Sequence, residues 1–287
     1  MKRRRNRKIV ITSVIAAILY AVFTVCTFMQ LAFILADNIE CWRPSYARID
    51  ISEILDKAEL SDDDYQTLYE QTGLTKIGVD RMLQRGQTGK NKIKTLQEQY
   101  FAEHTVLNEQ FAPFVCTDYI ENYITHCYLE EGDILVTSST HFVASRMGHA
   151  GLVTSANVYG SEKILQSNAY GYPSSLGDIK DFNNRVNFMI LRVKDEAFPD
   201  GVTRTDVAQY ALQNLLGLKY DIAVGVLSNK NKISKTHCSH LVWYAYKHFG
   251  IDLDRNGGLV VTPKDLANSP KMELVQVFGL DPVKLWK

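Results

Sequence analysis

Thr236-His237-Cys238-Ser239-His240-Leu241-Val242-Trp243-Tyr244-Ala245-Tyr246 is the stretch from which the fold of this chain is read. Apolar residues recur at Leu241, Val242, Ala245, Tyr246 and Phe249, the spacing of one helix face, and Gly250 stands where such a helix would end. Cys238 and Ser239 precede the apolar run, so Cys238 is predicted at or just before the first turn of a buried amphipathic helix. Unpaired backbone N–H groups and the positive end of the helix dipole favour a thiolate there. The same N–H groups can donate to a developing oxyanion. Position alone also suits an inert thiol, because free cysteines are among the most buried residue types.

A second stretch sharpens the reading. Gly132-Asp133-Ile134-Leu135-Val136 reads as a turn and short strand, and Arg146-Met147-Gly148-His149-Ala150-Gly151-Leu152-Val153 as a loop entering another strand. Small residues on both sides of His149 leave its ring room and let a neighbouring backbone come close. A cysteine nucleophile needs an imidazole within hydrogen-bonding reach, near in space but not in sequence. His149 and Cys238 fit that requirement.

Gly132-Asp133-Ile134, then Gly148-His149-Ala150-Gly151, then Cys238-Ser239 leading into Leu241–Tyr246, resembles the permuted papain-like NlpC/P60 hydrolases, specifically the YiiX/YebB-like group. Gly250-Ile251-Asp252-Leu253-Asp254 and the run from Val261 to Pro270 are similar to the end of that domain. The resemblance covers roughly residues 130–280, and the family's permutation places histidine before cysteine, as here. It implies an α+β, circularly permuted papain-like domain in which Cys238 is the nucleophile and His149 its base. The residue that orients the histidine falls on the next strand, which here offers Gln166 first and Asn168 second, with no acid where the family often has one. An amide orients an imidazole through its carbonyl oxygen but does not stabilise imidazolium as a carboxylate does. His240 occupies the place two after the cysteine where the family often carries glutamate. Tyr220-Asp221 resembles the short segment ahead of the cysteine, and Tyr170, in the turn-rich run from Tyr170 to Asp178, is a candidate cleft residue with Tyr220 and His240; a solvent-facing His240 is the plainer alternative.

The 46% hydrophobic content suffices for a sizeable core. The first 36 residues hold six of the 32 Lys and Arg and no acid, so the rest of this neutral chain is net acidic. That argues against a nucleic-acid surface on the body. Five cysteines do not make a disulfide framework; Cys41, Cys116 and Cys127 leave room for one bridge in an oxidising space, or for none.

Residues 1–8 form a basic cytoplasmic tail, and Ile9 to Ala36 carries no charge. As a helix this 9–36 segment would be about 42 Å long, against a hydrocarbon core of about 30 Å. It reads as a single-pass signal anchor with the N-terminus cytoplasmic and the body outside, or as an inefficiently cleaved signal. Residues 37–131 read as a helical cap or linker. A helix starts at Ser52, another is capped at Ser61 and stopped by Gly73, and a third runs from Thr75 to Gln84. Arg85–Lys92 is expected as a loop, and Lys94–Tyr123 as one or two further helices interrupted near Pro113. The pair across 65–83 looks superficially like a helix-turn-helix, but its acid-rich first helix would be repelled by phosphate. It is expected instead to pack beside the catalytic domain, 132–287, and shape its cleft. Strands are predicted at 132–137, 150–155, 163–167 and 186–193, with an amphipathic helix at 203–216.

His149, Cys238, His237 and His240 include zinc-ligating residue types, but 237 and 240 do not follow metal-site spacing, so no metal or cofactor is expected. No phosphate loop and no nucleophile elbow is present. The reading is a membrane-anchored extracytoplasmic cysteine hydrolase working through a thioester. The family implies amide bonds of peptidoglycan peptides, or acyl bonds of lipids, as substrates. The alternative is a catalytically silent papain-like adaptor at the cell envelope.

Overall fold

The uncharged N-terminal stretch forms α1 (Lys2–Ile34) in the computed structural model, which describes residues 2–34, 39–112, 115–143 and 145–286. Val10–Leu31, 22 residues of mean hydropathy 2.3, is long and apolar enough to cross a membrane and buries nothing against the body. A signal sequence passes the same test. The predicted end of the span at Ala36, and the break at Pro113, lie outside the described residues.

Local signals set the next helices. α2 (Ser52–Leu55) is followed by α3 (Asp62–Thr72), where Ser61 and Asp64 cap each other's backbone and Gly73 closes the helix at φ 71°. α4 (Lys76–Leu83) follows at once. Two expectations then fail. The supposed loop at 85–92 is the first half of α5 (Gly86–Phe101), which forms because Ile93, Leu96 and Tyr100 bury one face at helical spacing. The further helices expected across 94–123 end at Phe101. Beyond them runs an antiparallel hairpin, β1 (Val106–Ala112) with β2 (Val115–Ile120). β1 is largely exposed, so no alternation marks it; pairing with β2, not side-chain burial, makes it a strand.

After residue 131 come β3 (Ile134–Thr137), β4 (Thr140–Phe142), β5 (His149–Ser155), β6 (Lys163–Gln166), β7 (Ser175–Asp178), α6 (Lys180–Asn183) and β8 (Phe188–Val193). α7 (Arg204–Asn214), β9 (Lys219–Tyr220), β10 (Lys235–Thr236), α8 (Cys238–His248), α9 (Pro263–Ala267) and β11 (Met272–Phe278) complete the α+β body. β11-β8-β3-β5-β6-β7 is one antiparallel sheet, and β4 adds to the β1–β2 hairpin. The turn-rich 170–178 run thus ends as the edge strand β7, and β11 carries no sequence expectation at all.

Side chains alternate across this sheet and build two cores. Ile134, Val136, Leu152, Leu165 and Met189 pack with Leu241, Val242 and Ala245 of α8 and Val207 and Ala211 of α7. Leu135, Ile164 and Ile190 point the other way, into a cluster with Leu68, Val79, Met82, Ile93 and Tyr100 of α3, α4 and α5. Helices from 37–131 therefore cover the second face of the main sheet, and the 131/132 boundary does not separate two cores. Neither cluster contains a residue of α1, so the body holds its core without it. Across that boundary Arg81 makes a buried two-pronged pair with Asp133, at 2.5 and 3.1 Å. Removing either partner would strand a buried charge.

Candidate active site

The N-terminus of α8 is built by its own sequence. His237 is extended and caps the helix, its Nδ1 accepting the His240 N–H at 3.4 Å. That places Cys238 in the first turn, as the sequence predicts. Its thiol does not follow the expected tuning. Burial pushes it up, while the N–H of Ala150 and the Ser239 hydroxyl pull the other way. The helix terminus therefore does not outweigh desolvation.

His149 opens β5, paired with Thr137 of β3. Gly148 before it adopts φ 72°, and a Cβ there would stand 2.5 Å from the Thr137 carbonyl oxygen. Only glycine delivers the chain into β5 at that point. The imidazole stacks on Phe182, with ring centroids 5.4 Å apart and 17° between planes. Its Nε2 lies 2.8 Å from Gln166 Oε1. Gln166, not Asn168, thus reaches the ring, because β5 and β6 pair antiparallel with Gly151 opposite Gln166.

Behind the amide stands a residue without a sequence signal. Asp181, on α6, accepts from Gln166 Nε2 at 2.5 Å. A carboxylate accepts only, so it fixes which end of the amide faces His149. With Oε1 toward the ring, Nε2 of His149 is the N–H donor and Nδ1 keeps the lone pair, the tautomer a general base requires. The acid missing beside His149 is therefore present one residue removed. Burial first, then the nearby Arg185 guanidinium, holds the imidazole down at about 4, so it is neutral at pH 7. Gly177 of β7 makes the Gln166–Asp181 contact fit: a Cβ there would lie 2.0 Å from Asp181 Oδ2 and 2.2 Å from Gln166 Nε2. Gly177→Ala is expected to split this pair and release the imidazole, read as a new exchange-broadened His149 ring signal in NMR with little loss of melting temperature.

Cys238 and His149 line one cavity of about 230 Å³. No hydrogen bond joins Sγ to the ring among the described residues; Sγ has the Ser239 hydroxyl at 3.9 Å and the Ala150 N–H instead. The resting site is thus a neutral thiol near a neutral imidazole rather than an ion pair. Iodoacetamide should consequently alkylate Cys238 slowly at pH 5 and faster with rising pH beyond the ordinary cysteine range. A rate flat from pH 5 upward would reveal a preformed thiolate and contradict this.

Tyr170, Tyr220 and Asn168 line the same cavity. Tyr170 and Tyr220 pack edge to face at 5.2 Å, and the Tyr170 hydroxyl donates to Asp221 at 3.4 Å. His240 belongs neither to the cleft nor to solvent: it is 1% exposed, with Nδ1 3.0 Å from Thr236 Oγ1 and Nε2 2.8 Å from the Lys230 carbonyl. It pins the 228–232 loop to α8. His237, weighed from sequence only as a metal ligand, lines the cavity. Of residues 37–131, the described cavity wall takes Ala112 and Val115 from the β1–β2 hairpin and none from the helices. None of the described lining residues is Asp, Glu, Lys or Arg, and Val115, Phe142, Met147, Ile222 and Val260 give the wall its apolar character. All five cysteines are free, and no cluster of three His, Cys, Asp or Glu side chains suited to a metal occurs among the described residues.

Comparison with family models, with curated proteins and with solved structures returned no match. The chemistry of the site therefore rests on its own geometry.

Proposed function

We propose that this chain is a membrane-anchored cysteine hydrolase with a permuted papain-like body, held by α1 with the body outside the cytoplasm. The observation that carries the reading is the Asp181–Gln166–His149 series, which orients one tautomer of an imidazole on the cavity wall that also holds Cys238. A buried amide spent on orienting a neutral histidine suits a general base better than it suits a core.

In this mechanism a substrate carbonyl enters between the two groups. The Cys238 thiol proton passes to His149 Nδ1 as Sγ bonds to the carbonyl carbon. The N–H groups of the first turn of α8 stabilise the oxyanion. Collapse breaks the bond to the leaving amine or alcohol, which takes the proton from His149. Water, deprotonated by the same nitrogen, then hydrolyses the thioester to a carboxylic acid and restores the thiol. The uncharged, mostly apolar cavity favours an acyl-bearing substrate over a peptide with free carboxylates and ammonium groups.

The second reading, a silent binding module, is favoured by the absent Sγ–imidazole bond and the raised thiol. Incubation of the body with acylated lipids and with muropeptides, followed by mass spectrometry of intact protein and products, separates the two. A hydrolase gives products and an acyl mass on Cys238 that His149→Ala removes. A module gives neither with any substrate.

A further inference from the structure

Large exposed apolar side chains gather at the mouth of the Cys238 cavity. Phe111 and Tyr172 stand with rings 6.0 Å apart, 44% and 59% exposed. Phe111 borders a recess that shares Val115, Thr140, His149 and Asn168 with the main cavity. Tyr170, 63% exposed, is part of the cavity wall itself. Ile222 and Val260 also line the wall, and the segments next to them hold Val226, Leu227 and Leu259 at 61%, 83% and 71% exposure. These two segments touch, since a Cβ on Gly225 would meet the Leu259 carbonyl at 1.9 Å. Soluble surfaces scatter such residues singly; gathered around one opening they mark a contact face.

The chain supplies its own argument for the occupant. Trp42, whose N–H donates to Gly279 of the body, lies only eight residues on from Ile34, the end of α1. Fully extended they reach about 28 Å. With α1 in a bilayer, the body is confined to the membrane surface at high effective concentration. Lys219 and Lys232, both exposed, lie in the segments beside the rim and suit anionic headgroups.

We propose that the rim Phe111, Tyr170, Tyr172, Val226, Leu227 and Leu259 docks into the bilayer interface, so that the acyl group of a membrane lipid passes from the hydrocarbon into the Cys238 cavity. This rests on the anchored-hydrolase reading and narrows its substrate to bilayer-resident acyl lipids. Lifting an acyl chain through water is penalised for each methylene. An apolar mouth seated on the bilayer and an uncharged cavity behind it remove that penalty. The tether alone could not, because it brings the body near the membrane without orienting the opening.

The test uses residues 39–287, which hold both cores without α1, and vesicles of mixed phosphatidylcholine and phosphatidylglycerol. The body is expected to float with the vesicles, and Tyr172→Asp, Leu227→Asp and Leu259→Asp each to lower partitioning by about tenfold with unchanged circular dichroism and melting. Cys238→Ala should float as wild type does. Turnover absent from a body that still binds through these residues would remove the hydrolase reading and leave the docking face standing. A body that stays off vesicles, or floats equally well with all three aspartates in place, overturns the docking face whatever the cysteine does. So does a wild-type dimer that the aspartates dissociate, for the rim would then belong to a second copy.

Discussion

Replacing His149 with alanine is expected to lower turnover of an activated acyl substrate by about a hundredfold to ten-thousandfold, the range for a positioned general base. The size follows from the resting state. Burial keeps the Cys238 thiol protonated, so attack needs a base on the cavity wall, and His149 is the ring whose tautomer Gln166 and Asp181 fix. Gln166→Ala should cost at least about tenfold, because the ring is left free to choose the wrong tautomer and rotamer. Gln166→Glu is the more informative change. A carboxylate beside Nε2 favours imidazolium, so the acid limb of the pH–rate profile should move upward from near pH 4. The substitution also sets a second carboxylate against Asp181, a like-charge contact that the native amide avoids. Steady-state kinetics across pH reads both effects. Wild-type turnover unaffected by His149→Ala would remove the catalytic reading of the site.

The second large effect is on stability. His149 and His237 are 6% and 5% exposed, and burial holds them at about 4 and about 3. An unfolded histidine titrates near 6.5. Between those values the unfolded chain takes protons that the native state refuses, so stability is complete above about pH 6.5 and falls as pH falls. Each group contributes roughly 3 kcal/mol of loss by pH 4, against a total of about 5–15 kcal/mol for a folded domain. Buried His126, held at about 4, faces Glu162 at 4.0 Å. The Glu162 carboxyl, raised by the same burial, carries the opposite slope, so that pair adds less. Urea midpoints of the body should therefore drop steeply from pH 6.5 to 4.5, and His149→Gln should remove part of the drop, the rest belonging to His237 and to His240, which burial also holds down. A midpoint constant over that range would show the two rings to be solvated.

Legibility in the sequence tracked the range of the forces involved. The helix at Cys238 was readable because its apolar positions, its start and its glycine stop lie within a few turns of one another. The cap at Ser61, and the strand cores around Leu135, Leu152 and Ile190, are readable for the same reason. β1 is not, since an exposed strand has no burial period to display, and the first half of α5 reads as loop because its two glycines and polar first turn outweigh a buried face that only the sheet defines. Gln166 is legible on the strand after His149. Asp181 lay beyond reach, because its contact with Gln166 depends on β6, β7 and α6 folding back with Gly177 between them.

The sequence by itself determined the apolar helix of α1, the first-turn placement of Cys238 and the entry of His149 into a strand, since each depends on backbone and side-chain preferences within about ten residues. Tertiary structure alone decided that the helices of 37–131 back the main sheet, that the thiol rests protonated and that an acid stands behind the amide. Those outcomes depend on which surfaces lose water, and desolvation is a property of the packed chain.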